Sequence, residues 1–434
     1  MNKKKIKIFI GLREISGYFS NLKVGFEEIG IYAVFLNLGG NKFNYSEGKN
    51  PKWISVFNFI GRKIGSNFSR NFVLRFIWLT VFQSIFSLVA FFITLFTYDV
   101  FILGSNSTFF YFLELPILRL CRKKIIYVFL GSDSRPLYLN GYVYNGNPNP
   151  QFLIMLTWIQ KRVIKIIEKY ATVIVNHPPQ AYFHEKSFAS VLLIGLPYQE
   201  KSKSVDFKNV ACRDNIMKII HIPSKAGPKG SNNFRQIIHS LKEKYSIEYI
   251  EISGIPHNEV IKIISTADIA LDEFYSDTPM SVFATECAFQ GVPVVVGSYY
   301  VDSIQNDYKK CNLPPSMFVA PENIEKAIEK LIIDEDYRKQ LGKAAYNFVT
   351  KNWLAKTVAT KYLKLILDDF PNEWLYDPYN ISYLYGCGLS REQVKKNVGK
   401  FVESKGINSL CLKDKPHLER EFLNMIKEEK YIFE

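Results

Sequence analysis

Short apolar runs alternate with amphipathic, helix-like stretches through most of the chain. Runs of this length and content are typical of buried strands, and their alternation with helical patterns predicts parallel sheets covered by helices on both faces. The runs predicted as strands cover residues 5–10, 31–37, 98–103, 124–129, 172–175, 217–222, 248–252, 268–271, 293–297 and 317–319.

The stretch from Gly195 to Asn215 divides this series into two halves. It contains Pro197 and several charges but no apolar period, so we interpret it as a linker. A chain of 434 residues is long enough for two domains with separate cores. We therefore predict two doubly wound α/β domains that bind ligand between them, at the carboxyl ends of their strands. The predicted boundaries are 1–195 for the first domain, 196–215 for the linker, 216–351 for the second domain, 352–370 for an amphipathic helix and 371–434 for a helical C-terminal extension with two short helices.

The run from Phe76 to Thr97 carries no charge and is long enough to cross a bilayer. Polar residues nevertheless recur along it at helical spacing, and a membrane span would separate strand candidates of one sheet that lie on both sides of it. We therefore predict a buried or interfacial helix, with a transmembrane helix as the alternative. The polar positions are Thr80, Gln83, Ser84, Ser87 and Thr94.

The formal net charge of +14 indicates an acidic partner, which is nucleic acid, an anionic membrane surface or a phosphorylated substrate. Because the sequence has no RNA-binding signature, helix-turn-helix pattern or arginine-rich tract, no nucleic-acid partner is expected. Basic residues around the apolar run either face anionic headgroups or form a solvated basic face. These residues are Arg62, Lys63, Arg70, Arg75, Arg119, Arg122, Lys123 and Lys124.

The six cysteines form no C-x-x-C pair and no zinc-finger spacing with histidine, which disfavours a disulfide scaffold and a structural zinc site. The N-terminal MNKKKIKIFIG enters the first predicted strand without the apolar region of a signal peptide. We therefore expect a cytoplasmic protein, peripheral on the inner face of the cell membrane if its basic residues face headgroups.

The segment from Asp268 to Ser298 carries the strongest chemical signal. It reads as a buried strand, a turn, a helix and a second buried strand, so a helix start rich in free N–H groups follows a strand end, as in a phosphate site. Pro279 suits the first helical turn, with Asp277 or Thr278 as the N-cap, and Gly291 ends the helix.

The same segment resembles the donor-binding segment of GT-B glycosyltransferases of the group 1, family 4-like type. The pattern of that family is a carboxylate, seven residues, a second Glu and then A-x-G-x-P-V. Glu286 matches the second Glu, and the residues that match A-x-G-x-P-V are Ala288, Gly291, Pro293 and Val294. Thr278 stands where the first carboxylate falls. The resemblance implies two Rossmann-like domains facing a cleft, a helix returning to the first domain, and a Glu286 that binds the donor ribose. Thr278, Met280 and Ser281 are then expected to line the donor site.

Two further loops of the second domain resemble the same family. In HIPSKAGPKGS, Lys229 matches the lysine that contacts the donor diphosphate, and Lys225 is a second cation. Glycine lets backbone and ammonium approach phosphates closely. Gly254 and Ile255 match the loop where the base stacks, whereas His257 is either a ligand or a helix-start residue.

The first domain offers candidate residues at three strand ends. Gly17 matches the family's small-residue loop over sugar and phosphate. The segment GSDSR resembles a G-S-D-x-R segment found in a subset of the family. That segment is commonly preceded by His, whereas this chain has Leu130 there. Asp133 is the candidate for positioning or deprotonating the acceptor hydroxyl, with Arg135 beside it. His177 follows the strand TVIVN and is expected to point toward the cleft.

No metal site is predicted, because the one D-x-D, from Asp334 to Asp336, reads as an acid-rich helix start. The sequence thus predicts a metal-independent, cofactor-free, hexosyltransferase-type enzyme that moves a sugar from a nucleoside-diphosphate sugar to a glycan or lipid-linked acceptor in bacterial surface polysaccharide synthesis. The resemblance implies retention of anomeric configuration. The alternatives are a non-catalytic nucleotide-sugar-binding or scaffold protein and a sugar-nucleotide epimerase.

Overall fold

All ten predicted strands are present in the computed structural model, which describes residues 6–37, 52–53, 55–56, 72–104, 107–143, 149–199, 216–308 and 311–427, with the backbone alone over 72–84. Two further strands, β6 and β12, have three and two residues and were not predicted. The strands are β1 (Lys7–Leu12), β2 (Tyr32–Asn37), β3 (Val100–Gly104), β4 (Lys124–Val128), β5 (Val173–Asn176), β6 (Phe188–Ser190), β7 (Met217–His221), β8 (Ile247–Glu251), β9 (Ile269–Leu271), β10 (Val294–Gly297), β11 (Met317–Val319) and β12 (Leu375–Tyr376).

Helices connect and cover these strands. They are α1 (Tyr18–Glu28), α2 (Phe72–Thr97), α3 (Glu114–Leu120), α4 (Pro150–Tyr170), α5 (Val191–Ile194), α6 (Ala226–Lys229), α7 (Ser231–Lys242), α8 (His257–Ile264), α9 (Val282–Phe289), α10 (Val301–Asp307), α11 (Ile324–Ile333), α12 (Glu335–Asn352), α13 (Ala355–Leu367), α14 (Arg391–Lys405) and α15 (Pro416–Lys427).

The strands form two sheets. The first has the order β12-β6-β5-β4-β3-β1-β2 and is parallel except for β12, and the second has the order β11-β10-β9-β7-β8 and is parallel throughout. In each sheet the strand order reverses next to the first strand, between β1 and β3 and between β7 and β9. Loops on either side of such a reversal leave in opposite directions and open a crevice at the carboxyl ends of the strands.

Helices lie on both faces of the first sheet, as predicted. Since crossovers are right-handed, the steps from β2 to β3, β3 to β4 and β4 to β5 place α2, α3 and α4 together on one face, and the opposite step from β1 to β2 places α1 on the other. Two separate cores reflect this layering: one contains Phe91, Leu118 and Ile167, and the other contains Phe19 and Val358.

The predicted amphipathic helix at 352–370 corresponds to α13 and packs on the first domain. Its Val358 and Tyr362 belong to the core around α1, and Tyr362 shares a 2.8 Å hydrogen bond with the hydroxyl of Tyr18. At the crossing point a Cβ on Gly25 would lie 2.1 Å from the carbonyl oxygen of Ala355, so only glycine permits this approach.

The charge-free run is helical, as α2, and two of its described polar side chains, Ser87 and Thr94, face inward, whereas Thr97 at its end is exposed. Ser87 is 4% exposed and Thr94 is 0% exposed. The Thr94 hydroxyl is satisfied because it donates to the carbonyl oxygen of Phe91 at 2.9 Å. In the ranges that the structure describes, no helix combines the length and hydropathy that a membrane crossing requires.

The two helices predicted in the C-terminal extension are α14 and α15, and both pack on the first domain. Phe401 and Phe422 contact the ring of Tyr138 edge to face. The segment before α14 then reaches the second domain, where the backbone N–H of Gly388 donates to the carbonyl of Tyr275 at 2.8 Å. Residues 200–215 of the predicted linker, together with Arg62, Lys63, Arg70 and the side chain of Arg75, lie outside the described residues.

Candidate functional site

A cavity of about 390 Å³ lies between the carboxyl ends of the two sheets. Loops that follow β1, β4 and β5 line it from the first domain, and loops that follow β7, β8 and β9 line it from the second. Nine of the predicted site residues are on its wall: Arg135, His177, Lys229, Gly254, Ile255, Thr278, Met280, Ser281 and Glu286. The predicted residues that do not line it are Gly17, Asp133 and Lys225.

Lys229 lies on the cavity wall between two carboxylates. It ends α6, a single helical turn inside the loop that the sequence analysis took for an irregular glycine-bounded turn. Its Nζ is 2.8 Å from Oδ1 of Asp272 and 2.6 Å from Oε1 of Glu273. Burial opposes the charge on Lys229, but the two carboxylates outweigh burial and hold its pKa well above the usual range. The ammonium is therefore permanently charged.

Glu273 interacts with three polar side chains from distant parts of the chain. Besides Lys229, the hydroxyl of Tyr142 donates to its Oε1 and the thiol of Cys387 donates to its Oε2, both at 3.3 Å. Burial acts against its charge, but Lys229 more than compensates, so the pKa of Glu273 is lowered. Sequence analysis missed both carboxylate partners of Lys229, although Asp272 and Glu273 directly follow a predicted strand and were a usable signal.

Asp277 joins the two domains inside the cavity. Its carboxylate accepts hydrogen bonds from Nε of Arg135 and from Nε2 of Gln180, both at 3.1 Å, and Arg135 Nη2 also contacts it. Its carbonyl oxygen is 2.8 Å from Nε2 of His177. Burial lowers the pKa of His177 to about 4, so the ring is neutral at pH 7 and its Nε2 donates to that carbonyl.

The start of α9 differs from the sequence prediction. Asp277 and Thr278 were expected as N-caps and Pro279 in the first helical turn, but the helix begins at Val282 and Ser281 caps it by accepting from the N–H of Ala284. The reason is that the Asp277 carboxylate is held by Arg135, so the chain continues as a turn to residue 281. The predicted end is correct, since Gly291 adopts φ 71° just past the last turn.

Glu286 is buried in the second turn of α9 and lines the cavity. Its Oε1 is 2.7 Å from Nε2 of His257, the first residue of α8. His257 is thus both a helix-start residue and a cavity residue. Beside it, Gly254 adopts φ 74°, and a Cβ there would meet no atom within 4 Å, so this loop faces open space.

Asp133 lies in the predicted loop but does not line the cavity. Its Oδ1 accepts from the backbone N–H of Leu130 at 3.2 Å, while its enclosed Oδ2 has no hydrogen-bond partner among the described atoms. Burial raises its pKa to about 6. Its loop neighbours Leu130, Gly131, Ser132 and Arg135 do line the cavity, so Asp133 shapes the loop that carries them.

We expect Asp133→Asn to raise the free energy of unfolding at pH 8 by about 2–3 kcal/mol, since each pKa unit corresponds to about 1.4 kcal/mol. The folded-state pKa lies above the unfolded value of 3.8, so ionisation of the buried acid costs stability at neutral pH, and this cost disappears as the pH falls through about 6 to below 4. Denaturant unfolding of both proteins across this pH range would measure the difference. A gain that is the same at pH 4 and pH 8 would contradict the assignment.

Gly17 and Lys225 border the cavity without lining it. Gly17 adopts φ 79° at the start of α1, a conformation that favours glycine, and its neighbours Ser16 and Tyr18 are on the cavity wall. Lys225 is exposed, with Nζ 5.9 Å from the ring centre of Tyr142. Among the described residues, no group of three or more His, Cys, Asp or Glu side chains is arranged to hold a metal ion, and Asp334 caps α12 by accepting from the N–H of Tyr337.

No protein-family model matches this chain, and no curated protein matches it in sequence. Among solved structures, that of Anabaena Alr3699/HepE in complex with UDP and glucose aligns at a TM-score of 0.51, with 8% identity over 84% of this chain and 100% of that one. The UDP-glucose complex of the same protein aligns at 0.49 with 7% identity over the same shares of the two chains. WaaG, a glycosyltransferase involved in lipopolysaccharide biosynthesis, aligns at 0.46 with 10% identity over 83% and 99%.

These alignments concern the fold. Two parallel Rossmann-like sheets that face each other across a cleft are the GT-B arrangement, and this chain has it, as predicted, with the helical extension added at its C-terminus.

Proposed function

We propose that this protein is a metal-independent glycosyltransferase that transfers a hexose from a nucleoside-diphosphate sugar to a glycan or lipid-linked acceptor, with retention of configuration. The observation that carries the proposal is the convergence of Lys229, the start of α9 and Glu286 on one cavity, opposite loops of the first domain. A fold shared with a protein solved with UDP and glucose supports it. Bacterial surface polysaccharide synthesis at the inner face of the cell membrane is the setting we propose.

In this proposal the donor lies along the second domain. The base stacks on the loop of Gly254 and Ile255, where the space beside Gly254 is open. The ribose hydroxyls reach Glu286, and the diphosphate lies at the start of α9, whose first N–H groups have no partner inside the helix. Because Asp272 and Glu273 share the charge of Lys229, the helix N–H groups carry the larger part of the diphosphate binding.

The acceptor in this proposal enters from the first domain, beside the loop of residues 130–135. Both nitrogens of His177 are occupied, Nε2 by Asp277 and Nδ1 by the hydroxyl of Tyr308 at 3.2 Å, so His177 positions the loop and does not serve as a base. We propose that Asp133 acts on the acceptor through the placement of Ser132 and Arg135.

The donor assignment predicts that the protein binds a nucleoside diphosphate or its sugar in the presence of EDTA. Calorimetric titration with the UDP, GDP and dTDP forms, with and without EDTA, measures this directly. Strict dependence on manganese or magnesium would overturn the metal-independent assignment, and an absence of heat with every nucleotide would overturn the donor site.

Glu286→Gln provides the site-specific test. The amide still accepts a hydrogen bond from His257, but ribose hydroxyls lose a charged acceptor, which costs about 1.5–3 kcal/mol, or about 10- to 150-fold in the dissociation constant. Glu259→Gln is the matched control, because Glu259 is exposed on the neighbouring α8. Equal donor affinities for wild type and Glu286→Gln would remove Glu286 from the ribose site.

A non-catalytic nucleotide-sugar-binding protein is the second candidate. It is favoured by Thr278 in place of a carboxylate and by the absence of Asp133 from the cavity wall. The two candidates differ in turnover: donor binding with neither transfer nor donor hydrolysis across a panel of glycan and lipid-linked acceptors favours the binding protein, whereas release of nucleoside diphosphate establishes the enzyme.

A further inference from the structure

The outer side of α2 is continuously apolar over its described half. Six exposed side chains follow one another at helical spacings of three and four residues and form a single stripe, and Phe96 at its end is 81% exposed. The stripe consists of Ile85, Leu88, Val89, Phe92, Ile93 and Phe96.

This is the reverse of the usual pattern for a helix that packs on a sheet. The inward side of α2 holds Ser87 and Thr94, whereas the outward side over the same turns holds no polar residue until Thr97. A helix in contact with water alone would place its hydroxyls outside. The distribution therefore indicates that the outward side meets an apolar phase.

Neighbouring elements extend the stripe into a broader surface. The topology places α3 and α4 beside α2, and the rings of Phe91 on α2 and Phe110 in the turn before α3 pack edge to face at 5.0 Å. Leu120, at the end of α3, is 84% exposed. We call this surface the apolar face; besides the stripe it comprises Tyr111, Leu113, Ile117, Leu120, Phe152, Met155, Trp158 and Ile159. Exposed apolar side chains gathered on neighbouring helices mark sites of interaction.

The charges around the apolar face are predominantly basic. Arg119 and Arg122 are exposed at the end of α3, and the guanidinium of Arg162 stacks on Trp158 at 3.6 Å. Along α4, Lys165 pairs with Glu185, Lys169 is exposed, and the one acid, Glu168, is buried against His184. A surface that combines apolar side chains, aromatic rings and a basic border complements an anionic lipid surface.

We propose that the apolar face docks the protein on an anionic membrane, with the stripe of α2 inserted among the acyl chains near the headgroups and the basic side chains on lipid phosphates. The attachment is peripheral and depends on surface residues alone, so it does not require transferase activity. Since α3 and α4 begin at the carboxyl edge of the first sheet, which forms the cavity, one end of the apolar face lies near the cleft. If the proposed function holds, this favours a lipid-linked acceptor over a soluble glycan.

The test uses the full-length protein and flotation with vesicles of phosphatidylcholine alone or with about one third phosphatidylglycerol. Leu88→Glu combined with Phe96→Glu places two charges on the stripe without altering the core, because both side chains are exposed. Ile333→Glu is the control, since Ile333 is an apolar residue at the end of α11 in the second domain whose exposure of 66% lies between those of Leu88 and Phe96.

Wild type and Ile333→Glu are expected to float with anionic vesicles, more weakly at high salt and with neutral vesicles, and the double variant is expected to bind at least tenfold less. Equal binding of the double variant, or no binding of wild type to anionic vesicles at low salt, would overturn the proposal. A third outcome would also overturn it: wild type forms a dimer in solution, the double variant is a monomer, and neither binds vesicles. The apolar face would then be an interface between copies of the chain. Donor titration of the double variant separates these outcomes from a failure of the proposed function.

Discussion

Replacement of Lys229 by alanine is expected to destabilise the protein by about 3–5 kcal/mol, the range for removal of one partner from a buried ion pair. Asp272 and Glu273 would remain enclosed next to each other without their shared cation. Both carboxylates would then be driven toward their protonated forms, so the deficit should shrink as the pH falls. Denaturant unfolding at pH 8 and pH 5 measures the loss and its pH dependence.

Two variants separate this effect from a general sensitivity of the loop. Lys225→Ala removes an exposed lysine four residues earlier and should change stability by less than about 0.5 kcal/mol. Glu273→Gln added to Lys229→Ala removes one of the two unpaired carboxylates and should recover part of the loss. Lys229→Ala with wild-type stability would show that the three charged groups do not form the coupled cluster seen in the structure.

The strands and the location of the cavity could be predicted from sequence because both follow from local pattern. A run such as Val294–Gly297 is apolar at every position, and parallel strands bring their carboxyl ends to one edge. The same reasoning predicts Lys229 and Glu286 at that edge, and both line the cavity. The strands that were not predicted have no separate pattern: β12 has two residues, and β6 runs directly into the apolar helical turn α5.

The composition of the site depended on contacts between residues far apart in sequence, and these have no local signature. Cys387 reaches Glu273 only because the extension after α13 crosses back over the cleft, and Tyr142 reaches the same carboxylate from the other domain. The start of α9 was predicted wrongly for a related reason. Asp277 is a residue type that often caps helices, but its carboxylate accepts hydrogen bonds from Arg135 instead. A tertiary partner thus overrode a local preference.

Asp277→Ala is expected to cost about 3–5 kcal/mol of stability and to loosen the contact between the domains. The change leaves the guanidinium of Arg135 buried without its carboxylate and removes the hydrogen-bond acceptor of Gln180. Arg135 and Gln180 both belong to the first domain, whereas Asp277 belongs to the second. Denaturant unfolding measures the stability, and hydrogen exchange of residues 130–135 and 177–180 reports the local loosening. Asp277→Asn should lose less, because its amide oxygen still accepts from Arg135.

Asp302→Ala is the control for this experiment, because Asp302 is an exposed acid of the same domain and its loss should change stability by less than about 0.5 kcal/mol. If Asp277→Ala lowers stability but leaves hydrogen exchange of the two first-domain loops unchanged, the pair stabilises the second domain alone and does not hold the cleft. If exchange of both loops rises while the core strands stay protected, Asp277 holds the two domains in register across the cavity, and binding of the proposed donor should weaken with its loss.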